Sequence, residues 1–180
     1  IELFEVAARQ PGGVLVVDST STVAGSSWPN GCHVCEVEID PDTGRTEIVR
    51  YTTMDDVGRA VHPQIVRGQV QGGIAQGVGQ VLHEHAIYDR DSGQLLTGSF
   101  MDYGMPRADD FPAIDNDFDE SVPCTTNPLG SKGVGESGTV GATPSVMSAI
   151  LDALRPLGVR QLDMPATPHA VWRAIRAAQE

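Results

Sequence analysis

The sequence predicts an α+β fold of mixed hairpins and helices. Three observations carry this. Two strand-like runs, HVCEVEI and RTEIVRYTTM, flank the turn residues DPDTG. A long segment opened by Pro63 repeats apolar residues at three- and four-residue spacing. Helical and hairpin patterns are mixed along the chain rather than alternating as βαβ units, which argues against a doubly wound parallel sheet.

Taken in order, IELFEVAARQ reads as the last turns of a helix, and residues 1–180 are expected to be one segment of something longer. VLVVDST reads as a short buried strand and STVAGSSWPNG as a loop. In HVCEVEI, alternation puts Cys35, Val37 and Ile39 on one face. The partner strand of this hairpin ends in DDVGRAVHP. The segment PQIVRGQVQGGIAQGVGQVLHEHA is a helix by pattern, with Val66, Val70, Ile74, Val78, Val81 and Leu82 recurring on its apolar positions.

That helix carries Gly68, Gly72, Gly73, Gly77 and Gly79. Each interior glycine costs about 0.5–1 kcal/mol against alanine, so together they cost about 2.5–5 kcal/mol. A domain's whole stability is about 5–15 kcal/mol. Something must need the bare backbone. Gly68, Gly72, Ala75 and Gly79 form one stripe, which would let another backbone or a flat ligand come close.

AIYDRDSGQLLTGS reads as a second hairpin turning at DRDSG. MDYGMPRADDFPAIDNDFDESVP is a proline- and acid-rich connection with at most one strand, followed by the glycine loop GSKGVGESG. Thr143-Pro144 has the form of an N-cap with proline at the first helical position, and Thr167-Pro168 repeats it.

Composition narrows the function classes. The chain has 180 residues, 40% of them apolar, enough for a core in one domain or a large piece of one. A formal charge of -12 argues against nucleic acid and anionic membrane surfaces as partners. No apolar run reaches the roughly 18 residues of a membrane span. Three cysteines, an odd number, suggest a reducing cytoplasm. Cys32-His33-Val34-Cys35 lacks the second ligand pair of a structural zinc site, and Cys35 reads as a buried strand thiol.

Several constellations fail on inspection. Asp115-Asn116-Asp117-Phe118-Asp119-Glu120 resembles a calcium loop, but Glu120 stands where glycine is needed and Thr126 where glutamate is needed. It reads as a solvated loop. His83-Glu84-His85 is not spaced for one helix face and reads as a helix end. No phosphate loop or nucleophile elbow is present.

Two residues keep two readings each. Gln69 is either a surface amide or a buried group that donates and accepts at once. Glu136 is either an acid near the dipole of the next helix or a general base held close to a ligand by the glycine loop. Lys132 reads as a loop cation, an ion-pair partner or a contact to an anionic ligand.

DDVGRAVHPQIVRGQVQGGIAQGVGQ, GSFMDYGMPRADDFP and TNPLGSKGVGESGTVGATPSVMSAILDAL together resemble the C-terminal part of the large, molybdenum-cofactor-binding subunit of the xanthine oxidase family. The likeness is closest to aerobic carbon monoxide dehydrogenase-like large subunits. The PNGCHVCEVEIDPDTG hairpin and LDMPATPHAVWRAI share it. GQVQGGIAQG and KGVGESG, about sixty residues apart in this order, carry most of its specificity.

The resemblance implies part of a molybdopterin-binding domain and a molybdenum-dependent hydroxylase or dehydrogenase. Such an enzyme oxidises a carbon centre of a small molecule with water-derived oxygen. It implies that Glu136 is the general base at the molybdenum, and not a metal ligand. It implies that Gln69 hydrogen-bonds at the metal centre, while Gly72, Gly73 and the backbone of Gly133, Val134 and Gly135 approach the pterin. The implied cofactor is molybdenum-molybdopterin in its cytosine dinucleotide form. The implied partners are the rest of the large subunit and subunits carrying iron–sulfur clusters and FAD. His62 departs from the asparagine common before the proline. The chain is also several times shorter than such a subunit, so it is expected to be incomplete and inactive alone. The rival expectation is a non-catalytic remnant, or a generic anion-binding domain, that binds a partner or an anionic ligand through its glycine-rich face.

Overall fold

The computed structural model describes residues 2–180. It is an α+β arrangement of a three-stranded mixed sheet and four α-helices. Helix α1 spans Leu3–Ala8. The run expected to be a buried strand, VLVVDST, pairs with no strand, and Val14, Val16 and Val17 are 60%, 74% and 76% exposed. An apolar run becomes a buried strand only where a neighbour supplies hydrogen bonds and cover. Among the described residues this run has no such neighbour.

Strands β1 (Asn30–Ile39) and β2 (Thr46–Asp56) form the expected antiparallel hairpin, from Ile39 opposite Thr46 to Asn30 opposite Asp56. Asp40 makes the turn: its carboxylate accepts from the Asp42 N–H and the Thr43 hydroxyl. Gly44 completes it at φ +73°, and a Cβ there would also strike the Pro168 carbonyl.

Helix α2 (Pro63–Leu82) follows the apolar pattern. His62 caps its start, Nδ1 accepting from the Ile65 N–H at 3.4 Å, and His83 closes its end. The expected second hairpin reduces to one bridge, between Tyr88 and Leu95, around the DRDSG turn.

The stretch expected to be a solvated acidic loop is instead strand β3 (Ile114–Asp119), parallel to β2 with Tyr51 opposite Ile114. Asn116 is buried and Ile114 and Phe118 partly so, while Asp115, Asp117 and Asp119 face outward. The acids are thus the wet half of a period-two pattern.

Helix α3 (Ser137–Leu154) starts six residues before the expected Thr143 cap, and Pro144 lies inside it. Gly138, the last residue of the expected glycine loop GSKGVGESG, belongs to the helix, where it admits the backbone of α2. Helix α4 (Pro168–Ala177) starts as expected, with the Thr167 hydroxyl accepting from the Ala170 N–H.

Helix α3 packs on both α2 and β1. The core joins Val70, Ile74, Val78 and Val81 of α2 to Ala142, Val146, Ile150 and Leu154 of α3. Ile48 and Tyr51 of β2 and Val171 and Ile175 of α4 complete it. No helix among the described residues is long and apolar enough to cross a membrane.

Candidate active site where two glycine-rich segments meet

The site lies where the start of α2, the end of β2 and the loop before α3 converge. The loop is fixed at its upstream end. The Lys132 N–H donates to the Val57 carbonyl at 2.8 Å, and its ammonium pairs with Asp56 at the end of β2. The Ser131 hydroxyl donates to the Arg59 carbonyl. For Asp56, partial burial raises the pKa, but hydrogen bonds from Lys132 and the Gly58 N–H and the Lys132 charge outweigh it. The carboxyl is left below its ordinary value.

The downstream end is fixed by helix packing. Gly73 of α2 and Gly138 of α3 touch backbone to backbone, and the Thr139 hydroxyl donates to the Gly73 carbonyl at 2.9 Å. Between these anchors run Gly133, Val134, Gly135 and Glu136. The Gln69 side-chain amide donates to the Gly135 carbonyl at 2.9 Å, joining positions 66 residues apart. Glu136 takes the N-cap position of α3, yet its carboxylate makes no capping bond. It is exposed and lines a cavity of about 410 Å³.

The opposite wall of that cavity is a buried polar cluster unforeseen in the sequence. His33 Nδ1 and the Tyr51 hydroxyl share a 2.8 Å hydrogen bond. His33 Nε2 lies 3.5 Å from Asp55 Oδ1, and the Thr53 hydroxyl donates to Asp55 Oδ2 at 2.7 Å. Burial raises the Tyr51 pKa, helped by Cys35 and Asp55 and opposed by Ser145. Gly141 leaves room for the imidazole and Gly31 for the Asp55 carboxylate. A signal was present: Thr53 and Asp55 recur on the inward face of β2, opposite His33 on β1.

The fold brings Gln69, Gly133, Val134, Gly135 and Glu136 together. The helix glycines divide into two groups. Gly68 and Gly72 are exposed, and a Cβ on either would meet nothing within 4 Å. Gly73 and Gly77 are buried against α3. Gly79, expected on an open stripe with Gly68 and Gly72, is covered by Glu84 and Pro106. Glu84 itself accepts from the Tyr103 hydroxyl at 2.6 Å. Gly133 and Gly135 likewise face open space. Bare backbone therefore lies on both sides of the Gln69–Gly135 bond, a cradle that side chains would fill.

Comparison with known proteins adds the family. A profile described as the molybdopterin cofactor-binding domain matches residues 14–112. The chain is 36% identical over 183 residues to the 6-hydroxypseudooxynicotine dehydrogenase complex subunit gamma of Paenarthrobacter nicotinovorans, covering 96% of this chain and 22% of that protein. Among solved structures it is similar to the reconstituted CO dehydrogenase from Oligotropha carboxidovorans, with TM-score 0.79 and 33% identity over 84% of this chain and 18% of that one. It is also similar to quinoline 2-oxidoreductase from Pseudomonas putida 86, with TM-score 0.75 and 42% identity over 79% of this chain and 18% of that one. The chain spans about a fifth of the length of the curated relatives it matches. The resemblance read from the two glycine-rich signatures is borne out, and the chain belongs to the molybdopterin cofactor-binding domain family.

Proposed function

We propose that this chain is a segment of the large subunit of a molybdenum-dependent oxidoreductase that oxidises a carbon centre with water-derived oxygen. Glu136 is its general base. The observation that carries the reading is the Gln69–Gly135 hydrogen bond, which joins the two glycine-rich segments beside exposed, unobstructed backbone.

The residues present fit a flat, polar cofactor. Gly72, Gly133, Val134 and Gly135 would offer backbone to it, and Gln69 would offer the amide groups left over from Gly135. Gly73 contributes indirectly, by letting α3 close on α2 so that the loop reaches Gln69. When bound, the molybdenum-molybdopterin group, in its cytosine dinucleotide form, supplies the two-electron oxidation. Glu136 takes up the proton released from the attacking water-derived oxygen. Its carboxylate suits that task because no cap or ion pair engages it among the described residues. Iron–sulfur and FAD subunits would take the electrons, in the cytoplasm, and the rest of the large subunit would cover the site. The isolated chain is inactive for want of that cover.

The test is the metal and nucleotide content of the chain purified with whatever subunits accompany it. Molybdenum and a cytosine dinucleotide in stoichiometric amount are expected. A fully assembled complex without molybdenum would sink the reading.

A further inference from the structure

The geometry points to Gln69 as a positioning residue for Glu136: its side-chain amide holds the peptide unit that leads directly into the base. This inference rests on the reading of Glu136 given above, and it assigns Gln69 a task separate from any contact with the cofactor.

Lys132 is tied to β2, and Gly138 is locked against α2. Between them Val134 is partly buried against the core, but a Cβ on Gly133 or Gly135 would meet nothing within 4 Å, so the peptide after Gly135 has no packing to hold it. Two glycines in a four-residue span leave the backbone wide conformational freedom. Within the segment, Ser137 bonds back to the Val134 carbonyl and Val140 to the Glu136 carbonyl, both local contacts of the helix start. Among the described residues, Gln69 is the only side chain outside the loop and its helix that bonds to residues 133–136. The peptide it holds joins Gly135 to Glu136, so a rotation there would swing the carboxylate.

The chemistry of the bond fixes how Gln69 can be replaced. A carbonyl only accepts, so the amide must present its NH₂ group to Gly135, which turns Oε1 and the second N–H toward other partners. Glutamate at position 69 keeps the shape but sets a carboxylate oxygen against a carbonyl oxygen. Gln69→Glu is therefore sharper than truncation. Gln69 is exposed, so neither Gln69→Glu nor Gln69→Leu removes core packing.

The experiment uses the complete enzyme with all its subunits and compares Gln69→Glu, Gln69→Leu and Glu136→Gln. Three quantities are read: molybdenum per large subunit, hydrogen exchange of a peptide covering 133–140, and kcat and KM. Both Gln69 variants should exchange faster in that peptide whatever share of their molybdenum they retain, and kcat is taken per bound molybdenum. Misplacing the base should lower kcat about 10- to 100-fold while KM changes little. Unchanged exchange in both variants would overturn the inference, as would molybdenum loss with exchange unchanged, since that pattern marks a cofactor contact alone. A fully active Glu136→Gln enzyme would overturn the base assignment. Exchange in the Gln69 variants would still decide whether Gln69 holds the loop.

Discussion

Gly73 and Gly138 meet across the α2–α3 interface so closely that a Cβ built on Gly73 would lie 2.9 Å from Gly138 Cα, and one built on Gly138 would lie 2.3 Å from the Val70 carbonyl. The two helices share a contact that only hydrogen can occupy. This contact sets where α3 begins, and hence where Glu136 stands.

The glycines of α2 should therefore split in a stability assay. Gly73→Ala forces the helices apart and should destabilise the chain by about 1–3 kcal/mol. Gly68→Ala and Gly72→Ala meet open space and should stabilise it by about 0.5–1 kcal/mol through helix propensity. Denaturant midpoints measure both. Equal effects at positions 72 and 73 would contradict the interface described.

Lys132→Met should also destabilise, through Asp56. The ammonium side chain is 8% exposed and its partner 20%, so removing the cation leaves a largely covered carboxylate with the Gly58 N–H but no countercharge. Full burial would make this 3–5 kcal/mol; partial exposure reduces it to about 2–3 kcal/mol. The pH dependence has a definite sign. Because the folded Asp56 pKa lies below its ordinary 3.8, the pair stabilises above that value and loses its effect as pH falls through the folded pKa. Wild type and Lys132→Met should converge in stability below that window; a gap persisting there would refute the linkage.

In the assembled enzyme, Glu136→Gln should lower kcat by about 10²–10⁴-fold with molybdenum content unchanged. Steady-state turnover beside metal analysis decides it. Near-normal turnover would remove Glu136 from the chemistry.

The thiols should differ in reactivity. Burial, with a smaller contribution from Glu36, pushes the Cys35 pKa up to about 11. A hydrogen bond from Thr126, with backbone N–H groups, lowers that of Cys124. At pH 8, Cys35 is then about 0.1% thiolate, and Cys124 should alkylate at least about 100-fold faster. Mass spectrometry of iodoacetamide-treated chain reads this directly, and comparable rates would show that the β1 face is open.

The sequence disclosed whatever its own neighbours decide. The β1–β2 hairpin follows from the DPDTG turn, α2 from its apolar spacing and α4 from Thr167-Pro168, all local signals. Strand β3 was illegible because its partner, β2, lies about sixty residues upstream and its acids mask the alternation. The start of α3 was misplaced because Gly138 argues for a loop until its contact with Val70 and Gly73 is known. The site shows the same division. Gln69 and Glu136 were visible as residue types in glycine settings, but their link runs through the Gly135 carbonyl, which no side-chain pattern reveals. The His33–Asp55 pair emerged only when β1 and β2 were set in register.

The long spacing of the loop anchors also bears on the order of events in folding. Asp56 and Lys132 are 76 positions apart, and Gln69 and Gly135 are 66 apart. Closing such spans gives up chain entropy that grows as about (3/2)RT ln n, whereas the hairpin closes over a few residues. The hairpin and α2 can form while the glutamate loop is still free, and docking of the loop comes late. In the folded protein the same segment is held by little more than Val134 and the Gln69 bond, so it opens at low cost. A chain caught in that opened state would keep its sheet and its helices and leave the Glu136 carboxylate without a fixed place.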